Sequence, residues 1–266
     1  MAAPTEHPAY GVLRPVTDTA SVLLCDNPGK MTLEGTNTWV LRGPGADEMV
    51  VVDPGPDDHE HLARLAELGR IALVLISHRH GDHTDGIDTM VSATGAVVRS
   101  VGSGFLRGLG GPLTDGEVID AAGLRITVLA TPGHTADSVS FVLEGTRGQN
   151  GAVLTADTVL GRGTTVIDSE DGGLRDYLDS LDRLGALGPL RVLPGHGPDL
   201  PDLVAVTDMY REHRQQRLDQ IRAALREIGE DAGARAVVEH VYTDVDENLW
   251  DVAESSVRAQ LDYLRG

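Results

Sequence analysis

The chain has 266 residues, a formal net charge of −19, 41% hydrophobic and 24% charged residues, a single cysteine, and only 3% aromatics. That length can bury a core without disulfides or structural metals, and the lone Cys25 cannot form an internal pair, which suits a reducing compartment. The acidic balance and scarce aromatics disfavour a general polyanion-binding surface or a base-stacking platform, leaving only a local basic patch for any nucleic acid.

No basic n-region followed by an apolar run opens the sequence, and no stretch approaches the roughly 18 apolar residues of a membrane span, so the expectation is a cytoplasmic protein. Short apolar runs separated by Gly, Pro and Asp predict strands at Ser21–Cys25, Thr38–Arg42, Met49–Val52, Ala72–Ile76, Ala96–Arg99, Leu124–Leu129, Val139–Leu143, Ala152–Thr155 and Arg191–Leu193. Helical spacing appears at His59–Leu68, around Asp85–Ala93, and at Leu174–Leu187. Mixed strands and helices without long breaks indicate a layered α/β domain. After Pro201 the strand signal ends. A long helix is expected to Ile228, stopped by Gly229, with shorter helices at Ala234–Val241 and Asn248–Leu264. The expected division is a catalytic domain over 1–205 and a helical appendage over 206–266.

Four of the apolar runs end in a histidine or aspartate, three of them with Gly or Pro alongside: SHRHGDH (77–83), TPGHT (131–135), TADT (155–158) and PGHG (194–197). His78, His80, Asp82 and His83 place four potential ligands within six residues. With His134, Asp157 and His196 they form a His/Asp set that suits Zn, Fe or Mn. No cysteine closes the shell, as a structural zinc site would require, so open positions remain for water and substrate. The other histidines, His7, His59, His61, His213 and His240, read as ordinary residues, with the pair in DDHEHL on a solvated helix start. Asp53 in VVDPGP reads as support for the ligands, and Cys25 as a small buried residue.

The ordered set HxHxDH…H…D…H resembles the metallo-β-lactamase superfamily. That resemblance implies an αββα sandwich with two divalent metals, most simply zinc, at one edge. His78, His80 and His134 would bind the first metal and Asp82, His83 and His196 the second, with Asp157 bridging. Asp82 would also be the catalytic residue that orients the attacking hydroxide. NPGKMTLEGTNTWVL (27–41) followed by VVDPGP (51–56) is similar to the β-lactamase-like protein 2 group, whose members carry a winged-helix-like C-terminal appendage. The NPG…GTNT segment reads equally as a tight turn or as a floor to the site.

Within the superfamily that the chain resembles, the bridging aspartate belongs to thioesterase, phosphodiesterase and nuclease branches rather than to true β-lactamases, so the resemblance implies one of those activities. The leading expectation is a dinuclear-metal hydrolase acting on single-stranded RNA. The alternative is a glyoxalase II-like thioesterase or other small ester or lactone hydrolase, and a metal-free binding module is a distant third. Arg211, Arg214, Arg217, Arg222 and Arg226 on the long helix are expected to form a solvated face rather than a phosphate-binding surface.

Overall fold

The computed structural model describes residues 9–145, 151–242 and 250–266; His7 and the expected helix start at Asn248 lie outside them. Two sheets pack face to face. The first has the order β1 (Arg14–Pro15), β2 (Ala20–Leu24), β3 (Asn37–Leu41), β4 (Glu48–Val52), β5 (Arg70–Leu75) and β6 (Val97–Arg99). It is antiparallel from β1 to β4 and parallel from β4 to β6. The second runs β11 (Arg191–Pro194), β10 (Ala152–Ala156), β9 (Val139–Leu143), β8 (Leu124–Ala130) and β7 (Val118–Ala121), antiparallel except for the β10–β11 pair.

Strand alternation sets the layers. Trp39, Leu41, Val50, Val52 and Leu75 point between the sheets, where they meet Ile126, Val128, Phe141 and Leu154. Their neighbours Val40, Met49, Val51 and Val74 point the other way, onto α1 (His59–Glu67) and α3 (Ile87–Thr94). A strand covered on both faces must be apolar at both parities, and Trp39–Leu41 of β3, Met49–Val52 of β4 and Ala152–Leu154 of β10 are apolar throughout for that reason. On the far side, Val153 and Val192 pack beneath α4 (Leu174–Gly185) and α5 (Leu203–Ile228). The result is the expected αββα sandwich.

Local chemistry sets the helix bounds. Asp58 caps α1 by accepting from His61 N at 2.9 Å, and Asp202 caps α5 through Val204 N at 2.9 Å. The helical pattern around Asp85–Ala93 resolves into a short turn, α2 (Gly81–Thr84), and then α3. Gly86 separates them, because a Cβ there would stand 2.9 Å from Pro56 O. β1 and β7 escape the sequence pattern because they are edge strands with little buried surface: only Ile119 of β7 is buried.

Helix α5 runs unbroken through the expected boundary at 205/206. Its first half supplies Leu203, Val206 and Tyr210 to the layer under α4, and its second half supplies Ile221 and Leu225 to a cluster with α6 (Ala234–Val241) and α7 (Trp250–Arg265). Among the described residues no strand follows β11, and no helix is long and apolar enough to cross a membrane.

Two sequence expectations are corrected. His61 does not sit on a solvated helix start. It is buried, with Nε2 2.9 Å from Thr38 Oγ1, because α1 turns that face onto the sheet. Arg214 is not on a solvated face either. It is 4% exposed and lies over the Tyr177 ring at 5.2 Å, whereas Arg211, Arg222 and Arg226 do face solvent. Tyr177 of α4 and the Thr165 carbonyl cover Arg214, which sequence spacing alone does not reveal.

Candidate metal centre

Each of the four ligand-bearing segments leaves the C-terminal end of a strand: β5 leads to residues 78–83, β8 to His134, β10 to Asp157 and β11 to His196. β5 belongs to one sheet and the other three to its partner, so the site forms where the two sheets meet at one edge. All seven sequence-predicted residues come together there. The donor atoms of His78, His80 and His134 lie within 4.8 Å of one another, and so do those of Asp82, His83 and His196. Asp157 stands between the groups, with Oδ2 3.6 Å from His134 Nε2 and 3.4 Å from His196 Nε2.

The imidazoles are anchored from outside. His83 Nδ1 donates to Asp53 Oδ2 at 2.9 Å, His134 Nδ1 to Val166 O at 2.9 Å, and His196 Nδ1 to Gly35 O at 3.0 Å. Ser77 Oγ donates to Asp53 Oδ2 at 2.6 Å and so accepts from His78 Nδ1 at 2.9 Å. These four rings therefore present a lone pair at Nε2 toward the centre. His80 is reversed: its Nε2 faces Asp171 Oδ2 at 3.2 Å and its Nδ1 points inward. Outer partners that fix ring tautomer and direction are what metal-ligating histidines require.

A cation fits this arrangement. Inward-facing nitrogens lie 3.2 Å apart for His78 and His80, 3.0 Å for His134 and His80, and 3.3 Å for His83 and His196. Lone pairs that close repel unless a proton or metal sits between them. Among the described residues Asp157 Oδ1 is buried without a hydrogen-bond partner and has only His83 Nε2 near it, at 3.4 Å, so a cation there would satisfy it.

The electrostatics agree. Burial, then the charge of neighbouring His83, holds His78 well below the ordinary histidine range. Burial also opposes charging of His83 and His196, but Asp157 outweighs it, raising His83 well above its usual value and His196 to about 9. Burial would raise Asp157 and Asp82, yet His196 and His83 hold both carboxyls below the usual range, so both are ionised acceptors at neutral pH.

Strain and close packing mark the same place. Asp53 and Ala156 adopt φ of 54° and 44° at the ends of β4 and β10, a left-handed conformation rare for residues with a side chain. In this conformation Asp53 accepts from Ser77 N at 2.8 Å and reaches His83, as the sequence anticipates. The NPG…GTNT segment fills both roles open to it. Gly35 closes a turn with Thr32 O at 2.8 Å, and the same segment supplies a wall of the site. Asn37 Nδ2 donates to Pro194 O and Gly197 O, clamping the loop that carries His196. Lys30, Met31 and Leu33 border a cavity of about 140 Å³ over His80, Asp82, His134 and Asp157.

Residues that sequence reasoning missed are Ser77, Thr165 and Asp171. Thr165 Oγ1 lies 3.1 Å from His134 Nδ1, and Asp171 holds both His80 and Arg79. Nothing in the SEDGG stretch signals Asp171, because a loop brings it in from 91 positions away.

Two sheets sandwiched by helices, with a His/Asp nest where the sheets meet, define an αββα metal-site protein. The chain belongs to the metallo-β-lactamase superfamily, a family generally of metal-dependent hydrolases, whose profile matches residues 31–196. The profile of the β-lactamase-associated winged helix domain matches residues 234–265. The chain is 34% identical over 242 residues to the beta-lactamase-like protein 2 homolog of Caenorhabditis elegans, covering 86% of this chain and 78% of that one. Its fold is similar to that of a metallo-β-lactamase family protein from Thermus thermophilus, with TM-score 0.75, 23% identity and 94% of each chain covered. A further similar chain was solved in a di-iron-bound form; TM-score is 0.55 at 24% identity, covering 69% of this chain and 96% of that one.

Proposed function

We propose that this protein is a hydrolase working with two divalent cations. His78, His80 and His134 would hold one, Asp82, His83 and His196 the other, and Asp157 would serve both. The convergence of seven donors with their ring nitrogens in near contact carries this reading. The donor set accepts zinc, iron or manganese, and the di-iron form of a similar chain supports iron as well as zinc.

Two such cations supply Lewis acidity, which lowers the pKa of water from about 15.7 toward neutrality and polarises the bond to be broken. The chain's own residues do the rest. Asp82 lines the cavity as an ionised carboxylate, with Oδ2 3.1 Å from His196 Nε2, and accepts a hydrogen bond from the attacking water. Lys30, the single lysine of the sequence, borders the same cavity with Arg162 and draws an anionic substrate toward it.

A phosphodiester of single-stranded RNA is the leading substrate, supported by Lys30 and by Arg162, itself paired with Glu34, at the mouth of the cavity. The net charge of −19 counts against it. A small ester or thioester is the second reading, favoured by the apolar lip of Met31, Leu33, Leu160 and Val166. Turnover of a fluorogenic single-stranded RNA, thioesters and lactones by the metal-loaded chain, beside an Asp82→Ala control, decides between them. Activity on RNA that the control loses supports the nuclease. Ester or thioester turnover without RNA cleavage selects the second reading, and no metal-dependent turnover at all overturns the hydrolase.

A further inference from the structure

The strip Thr164–Val166 has two sides. On one it borders the metal-side cavity, where Val166 O and Thr165 Oγ1 hold His134. Against the other lies a second, open cavity of about 270 Å³ between α5 and α7, lined by His213, Arg214, Arg217, Tyr242, Ser256 and Gln260. No acidic residue among the described residues lines this cavity.

Its polar groups are built in and incompletely used. Arg214 is buried and donates from Nη2 to Thr165 O at 2.5 Å. Its Nε, the Nδ1 of His213 and the Oε1 of Gln260 are buried without hydrogen-bond partners among the described residues. Buried polar groups are normally paired, so three in one cavity point to a polar guest. Arg217 is half-buried, its guanidinium 5.1 Å from the Tyr242 ring centroid, which holds the fork in place before any ligand arrives. Burial, then the charges of Arg214 and Arg217, keeps His213 below its ordinary value, so the local field is positive.

We propose that this cavity seats an anionic oxygen group of the substrate while the bond to be cleaved lies at the metal centre across the Thr164–Val166 strip. The anion is a phosphate of an RNA strand or the carboxylate of a small ester or thioester. Arginine forks bind both groups by paired charge-assisted hydrogen bonds. The inference rests on the hydrolase reading, because it takes the metal side as the reacting end.

Calorimetric binding to the metal-loaded full chain tests it with non-hydrolysable probes. One is a phosphorothioate single-stranded RNA tetramer, with its methylphosphonate form as neutral twin. The other is a thioether bearing a terminal carboxylate, with its methylamide as neutral twin. Arg217→Ala is expected to weaken a charged probe about tenfold and leave its neutral twin unchanged, with partial recovery in Arg217→Lys. Arg211→Ala, on the solvent face beside Asp182, leaves every probe unchanged. Whichever charged probe responds identifies the anion. Equal affinity of wild type and Arg217→Ala, a loss shared by the neutral twin, or no binding of either charged probe by wild type at millimolar concentration overturns the proposal. Turnover measured on the same samples separates the two readings. A standing Arg217 effect without turnover removes the hydrolase alone, and turnover without an Arg217 effect removes the anion seat alone.

Discussion

Gly195 lies so close to Asp157 that a Cβ on it would stand 2.4 Å from Asp157 Oδ1 and 2.9 Å from His83 Cε1. The backbone between β11 and His196 thus forms one wall of the donor nest, and only hydrogen fits between that wall and the carboxylate. Gly195→Ala is expected to displace Asp157 and lower metal affinity at least tenfold, while far-ultraviolet circular dichroism stays that of the wild type. Bound metal measured by plasma mass spectrometry after dialysis checks it; a variant that keeps its full metal complement shows that the wall is not needed.

Asp53 is the hub behind the nest, accepting from Ser77 N at 2.8 Å, Ser77 Oγ at 2.6 Å and His83 Nδ1 at 2.9 Å. An alanine there frees the ring of His83 and, through Ser77, that of His78. Loss of such outer partners costs about 10–100-fold in metal affinity. Competition titration of Asp53→Ala against a chromophoric chelator measures this. An unchanged affinity would reduce Asp53 to a turn residue.

Removing metal should destabilise the whole domain, because the crowded, buried His/Asp donors then lose the cation that binds the folded chain alone. A ligand held at about a hundred times its dissociation constant adds about 2.7 kcal/mol to folding stability. Differential scanning calorimetry with and without chelator is expected to show a lower Tm in chelator, recovered on adding metal back. The same Tm in both would mean that the donors hold nothing.

His61 sets a pH dependence. Its pKa falls from 6.5 to about 4, chiefly through burial, with the nearby Asp58 charge opposing and Arg64 assisting. Above about pH 6.5 both folded and unfolded chains carry it neutral, and its contribution to stability is complete. As the pH falls from about 6.5 to 4 the unfolded chain takes up a proton that the folded chain refuses, so about 2–3 kcal/mol is lost across that window. Urea unfolding of chelated wild type and His61→Gln at about pH 7.5 and 4.5 isolates this contribution from that of the metal ligands. Wild type should lose more stability than the variant on acidification; equal losses would contradict the buried neutral ring.

Much of the site was legible before folding. The HxHxDH residues, the later His134, Asp157 and His196, and Asp53 behind them all meet at one edge of the sandwich, because each lies just past the end of a strand. Asp171 was not legible, since its contact with His80 depends on the path of a loop. The same holds for the Thr164–Val166 strip, whose backbone carbonyls do the holding and carry no residue signature.

The sequence by itself determined the layering, because strands covered on both faces must be apolar at both parities, and it named the seven residues that gather in the His/Asp nest. Tertiary structure alone decided what becomes of the polar residues on long helices. Arg214 and Arg217 share a helical spacing with Arg211, yet the packing of α5 against α4, α6 and α7 draws the first two against a cavity and leaves the third in solvent. Local periodicity fixes which face of a helix a side chain occupies; what covers that face depends on contacts between residues far apart in the chain.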